Sequence, residues 1–188
     1  MGKGRLEAFS DGVLAIIITI MVLELKVPHG ADLAALGPLC PVFIAYIVSF
    51  LYVAIYWNNH HHLLHTVKTV TPGVMWANML LLFWLSLLPF VTGWCGENPE
   101  ASWPAALYGV VLFAAGLSWL VLQSAIIAGG GILKQAIGAD KKGKASLVLY
   151  AAGIGLAFVN PWIAEATFAV VALIWIIPDP RIAKVVGE

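Results

Sequence analysis

Apolar residues run along this chain in six long blocks, separated by short stretches that hold most of its charges, prolines and glycines. The blocks predict helices over residues 9–27, 39–65, 74–94, 104–128, 145–160 and 162–177. Pro28, Pro38, Pro72, Pro104, Pro161 and Pro178 fall at or beside the ends of these blocks, where a missing N–H costs least. Pro41 and Pro89 fall inside, and Pro89 predicts a kink in the third helix. Only Asn160-Pro161 separates the last two blocks, which predicts a tight helical hairpin or a re-entrant turn there.

Composition identifies the solvent. Of 188 residues, 61% are hydrophobic and 11% charged, and the mean hydropathy is +0.93. These values describe an all-α integral membrane protein. Each crossing takes about 20 apolar residues, so the chain reads as one six-helix transmembrane domain over 1–188, without room for a separate soluble domain. The basic, apolar start resembles a secretion signal, but Glu7 and Asp11 interrupt it, and it reads as a retained first helix. Cys40 and Cys95 have neither metal-knuckle nor redox spacing and read as free thiols.

Charge gives the orientation. Lys3, Arg5, Lys68, Lys134, Lys141, Lys142, Lys144, Arg181 and Lys184 all fall on one side of the predicted spans, and Lys26 alone falls on the other. The positive-inside rule then places both termini in the cytoplasm of a cell whose inner membrane holds the protein. The opposite loops are expected to carry Asp32, Glu97, Glu100 and Glu165, an acidic face able to concentrate cations modestly.

The first helix holds the densest candidate chemistry. Arg5, Phe9, Ser10 and Asp11 form an R-x-x-x-F-S-D sequence that runs directly into apolar residues. A carboxylate at membrane depth needs a partner, and Arg5 is the nearest in sequence. Ser10 or Asp11 could also cap the helix. At about 100° per residue, Gly12, Ile16, Ile20, Leu23 and Val27 share one face bordered by Thr19, while Asp11 points roughly 140° away from Ile16. Periodicity alone leaves that stripe open to lipid, to packing or to a pore.

A histidine cluster, His60, His61, His62 and His65, ends the second helix. His61 and His65 share a face as metal ligands can, but no neighbouring cysteine or carboxylate set in the sequence completes a site, so no metal is expected. The glycines at 129–131 follow no strand and form no phosphate cradle. Most of the eight tryptophans read as interfacial anchors, with Trp84 and Trp119 deeper. Ala151, Ala152, Gly153, Gly155 and Ala157 would let the fifth helix pack closely. No arrangement of nucleophile, base and oxyanion donors is recognisable, so an enzyme is not expected, and nothing points to nucleic acid.

The R-x-x-x-F-S-D motif with residues 12–28 resembles the opening of prokaryotic potassium channels of the endolysosomal type. The likeness continues through Trp57-Asn58-Asn59-His60-His61, through Trp76-Ala77-Asn78, and on to Leu88-Pro89-Phe90. It implies a homotetramer in the lipid bilayer that passes monovalent cations, potassium above all, without a cofactor. It further implies a pore lined by the first helices, with Ile16 as the narrowest apolar ring and gate and with Ile20 and Leu23 as successive rings. Thr19 would match a pore-facing threonine that aids selectivity. The motif residues would interlock with polar groups on neighbouring helices, for which Asn78, His60 and His61 are candidates. That family lacks a TVGYG filter, and so does this sequence. A secondary cation transporter is the alternative, although paired ionisable residues at the membrane midplane are not evident.

Overall fold

The computed structural model describes residues 2–130 and 140–177. Gly131, Lys134, Pro178, Arg181 and Lys184, named above, lie outside them. The described residues form α1 (Lys3–Leu23), a 3₁₀ turn (Leu33–Leu39), α2 (Cys40–His65), α3 (Pro72–Ser86), α4 (Leu88–Glu97), α5 (Ser102–Ala128), α6 (Lys141–Leu156) and α7 (Pro161–Ile176). They contain no strand.

α1 starts six residues before the apolar block does. The Arg5 and Leu6 amides bond the Gly2 carbonyl at 3.2 and 3.3 Å, so the polar residues ahead of Phe9 are already helical. Ser10 and Asp11 therefore lie two turns inside α1, and the expectation that either caps it is corrected. The helix also stops at Leu23, short of 27. Pro41, expected inside a span, sits at the second position of α2, where its lost N–H is one of the helix's unpaired donors anyway.

Pro89 has the stronger effect. It cannot donate to the Leu85 carbonyl, and the third span breaks at Leu87 into α3 and α4. Together these still make one apolar span, Pro72–Glu97, and among the described residues four spans are long and apolar enough to cross a membrane: this one, Lys3–Leu23, Leu33–His65 and Ser102–Ala128. α6 and α7 have 16 residues each and form a tight hairpin, in which the Asn160 side chain accepts the Trp162 amide at 2.9 Å.

The helices alternate in direction. Lys3 Nζ donates to the His65 carbonyl at 3.2 Å, which puts the start of α1 beside the end of α2. Lys142 Nζ donates to the Ile177 carbonyl at 2.9 Å, which pairs the start of α6 with the end of α7. At the opposite end Lys26 is ion-paired with Glu97, whose carboxylate raises the lysine's pKa. Glu97 is thus neutralised rather than part of a free acidic face. Glu165 departs further from expectation, since it sits on α7 and lines a cavity of about 250 Å³ with Ile44, Cys95, Tyr108 and Phe168.

α5 is the hub, packing on α3, α4, α6 and α7. With no hydrophobic drive between helices in lipid, close fit and polar contacts must supply the association. Ser49 on α2 meets Thr92 of α4 at 2.6 Å and Tyr108 of α5 at 2.8 Å, and the Tyr52 hydroxyl donates to the Phe168 carbonyl of α7. Phe168 is fully buried as a wedge between α5 and α6. A Cβ on Gly153 would stand 2.3 Å from its ring, and one on Gly109 2.5 Å. Of the small residues of α6 expected to permit close packing, Gly153 is buried in this way and Ala157, just past the helix, is buried too, whereas Ala151, Ala152 and Gly155 face outward. Replacing Gly153 with Val should therefore destabilise the subunit by about 1–3 kcal/mol through overpacking, read as a lowered thermal midpoint in detergent, while Gly155→Val leaves that midpoint nearly unchanged.

Candidate functional site

α1 has two faces with different fates. Leu6, Ser10, Leu14, Ile17 and Met21 recur at helical spacing and are buried against the subunit. Phe9, Gly12, Ile16, Thr19, Ile20 and Leu23 are exposed, Ile16 by 58% and Leu23 by 80%. Nothing lies within 4 Å of a Cβ built on Gly12. α1 packs chiefly on α2, α3 and α4, so it sits at one margin of the bundle with this apolar stripe uncovered. The Thr19 hydroxyl donates to the Ile16 carbonyl at 2.8 Å.

The buried face is fastened by polar groups. Ser10 Oγ donates to the Leu6 carbonyl at 2.9 Å and accepts from Asn78 Nδ2 of α3, also at 2.9 Å. Asn78 Oδ1 lies 2.7 Å from His60 Nε2 of α2. All three side chains are buried, so one short chain of hydrogen bonds joins three helices where water cannot substitute. Among the described residues the other ring nitrogen of His60 has no partner, and the ring's polar link runs through Asn78.

Beside that chain, α1 and α2 run antiparallel in a regular polar register. Asp11 accepts from the Trp57 indole at 3.0 Å. One turn back, Glu7 Oε1 lies 3.0 Å from His61 Nδ1 and 3.7 Å from His65 Nε2. One turn further back, Lys3 reaches the His65 carbonyl. Each step of four residues toward the start of α1 matches four toward the end of α2, as the shared periodicity of two α-helices requires.

This geometry corrects two expectations. Asp11 is partnered by Trp57 and not by Arg5, which lies six residues back on the same helix and about 120° around it. Arg5 itself is exposed. The carboxylate that sequence spacing could not supply to the histidine pair is Glu7, from a different helix. Glu7 was the residue missed. Its signal was available in the ladder Lys3, Glu7, Asp11 facing the ladder Trp57, His61, His65, each spaced by four.

The same region carries the likeness to known proteins. A family model described as the endosomal/lysosomal potassium channel TMEM175 matches residues 5–89. A Chryseobacterium protein named as a potassium channel is 53% identical over the whole of both chains. Another so named, from Streptomyces collinus, is 33% identical over 91% of this chain and 90% of its own. The mouse endosomal/lysosomal proton channel TMEM175 is 38% identical over 47% of this chain but only 20% of its own length. Among solved structures, the crystal structure of a lysosomal potassium-selective channel TMEM175 homolog from Chamaesiphon minutus superposes with a TM-score of 0.79. It is 28% identical and the match covers 92% of this chain and 95% of that one.

Asn78 is the residue on which the buried hydrogen-bond chain turns. Asn78→Ala should destabilise the subunit by about 1–3 kcal/mol, because His60 is left buried without its link. In thermal unfolding in detergent, Ser10→Ala added to Asn78→Ala should cost clearly less than the two single losses summed.

Proposed function

Because this chain belongs to the TMEM175 family of ion channels, we propose that four copies surround a potassium-permeable pore lined by the uncovered stripe of α1. The observation that carries this reading is the division of α1 itself. Its buried side chains are committed to α2, α3 and α4, while Ile16, Thr19, Ile20 and Leu23 stay exposed within their own subunit. A fourfold arrangement supplies that cover by placing the stripes of four subunits around one axis.

The chemistry of such a stripe follows from its residues. A ring of four Ile16 side chains offers no ligand to an ion, so a narrow ring gates by dewetting. When it widens, a cation passes partly stripped of water. Potassium holds its hydration less tightly than sodium, so the constriction favours potassium without a rigid carbonyl cage, and selectivity is modest. Thr19 suits a place just beyond Ile16. Its proton is engaged by the Ile16 carbonyl, which leaves the lone pairs of its oxygen for a cation. Asp11, tied to Trp57, and the Ser10, Asn78 and His60 chain hold the helix that carries the ring. Arg5 and Phe9 are exposed on the single subunit, and in the fourfold arrangement they would meet neighbouring copies.

The described basic residues other than Lys26 gather at the end of the bundle where α1 begins, which supports a cytoplasmic placement of that end in the cell membrane. Liposomes containing the purified protein should carry rapid potassium current on a gradient alone. Ile16→Asn, by wetting the constriction, should raise sodium permeability relative to potassium. Unchanged conductance and selectivity in that variant would remove Ile16 from the ion path, and flux that requires a coupled gradient would identify a transporter instead.

A further inference from the structure

Glu7, His61 and His65 bring three donor atoms from two helices together, and we propose that they form a binding site for a zinc-class transition-metal ion. The carboxylate oxygen of Glu7, Nδ1 of His61 and Nε2 of His65 all lie within 4.8 Å of one another. Around a tetrahedral Zn²⁺, with bonds of about 2.0–2.2 Å, neighbouring nitrogen and oxygen ligands stand roughly 3.3–3.5 Å apart. The separations of 3.0 and 3.7 Å from Glu7 to the two rings bracket that spacing, so small rotations of the side chains suffice. The two imidazoles already lie side by side, with ring centroids 4.4 Å apart.

The donor set selects the metal. Two imidazoles with one carboxylate suit zinc and its borderline neighbours, whereas magnesium and calcium require mostly oxygen. The side chains remain open to water, Glu7 by 20%, His61 by 41% and His65 by 37%, so an ion can enter and a water can complete its fourth position. The nearby Lys3 ammonium is held on the His65 carbonyl. His60, the next histidine, is committed to Asn78 and is not a ligand.

Such an ion would staple the start of α1 to the end of α2. Resting on the reading of α1 as the pore helix, the staple restrains the movement that widens the Ile16 ring, so bound zinc lowers conduction from the side on which α1 begins.

The test begins with purified protein stripped by EDTA. Titration calorimetry with zinc chloride should show saturable binding of one ion per chain, and magnesium should show none. Co²⁺ should give the visible bands of tetrahedral coordination, and zinc should abolish them. His61→Ala with His65→Ala should weaken zinc binding at least about tenfold, and Glu7→Gln should weaken it in the same direction. Should the double variant not fold, the cobalt spectrum of the unaltered protein and Glu7→Gln decide the question. Absence of saturable zinc binding to the unaltered protein, or equal binding by the variants, overturns the proposal. Potassium flux in EDTA is measured separately: its absence alongside intact zinc binding would count against the pore reading and leave the metal site standing.

Discussion

A membrane helix can leave one face uncovered only if its other face is held without help from the hydrophobic effect, because lipid tails solvate apolar side chains as well as protein does. In this subunit polar contacts meet that requirement for α1. Ser10, Asn78 and His60 form a buried chain across α1, α3 and α2. Asp11 with Trp57, Glu7 with His61 and His65, and Lys3 with the His65 carbonyl extend the fastening along two turns. Breaking a link of the Ser10, Asn78 and His60 chain strands a polar group where water cannot reach it, so those three contacts hold together as a unit.

The rest of the bundle serves the same arrangement from behind. α3 and α5 pack closely, and α5 in turn is backed by α6 and α7 through the Phe168 wedge. The break at Leu87 lets α3 hold Asn78 against α1 while α4 takes its own course, where Thr92 reaches Ser49 on α2. The chain that joins Ser10 to His60 thus stands on helices that are themselves pinned at a second depth by Ser49, Thr92 and Tyr108. The helix that carries the proposed gate keeps the face of Ile16, Ile20 and Leu23 outside this frame.

Much of this was legible in the sequence because hydropathy reports the solvent directly. The six helical units, a kink at Pro89 and the shared face of Ile16, Ile20 and Leu23 all follow from rules that act within one helix. Rules of that kind miss whatever depends on two helices. α1 begins at Lys3, but an apolar-block reading starts it at 9, because Lys3, Glu7 and Asp11 look like a polar flank until α2 is seen opposite them. The choice of Trp57 over Arg5 for Asp11, and of Glu7 for the histidine pair, is a matter of register between antiparallel helices, which no single helix encodes. Glu165 was misread for a related reason: four residues after Pro161 it looks like loop charge, yet it points into a cavity formed with α2, α4 and α5.

The two faces of α1 can be separated chemically. In a background without Cys40 and Cys95, single cysteines would be placed at 14, 16, 17, 20, 21 and 23, and potassium current through liposomes followed during exposure to a charged, water-soluble thiol reagent. The account predicts that modification at 16, 20 and 23 blocks the current while 14, 17 and 21 stay unreactive. Block arising from the second set, or free reaction at 16, 20 and 23 with the current intact, would contradict the claim that this face of α1 lines the ion path.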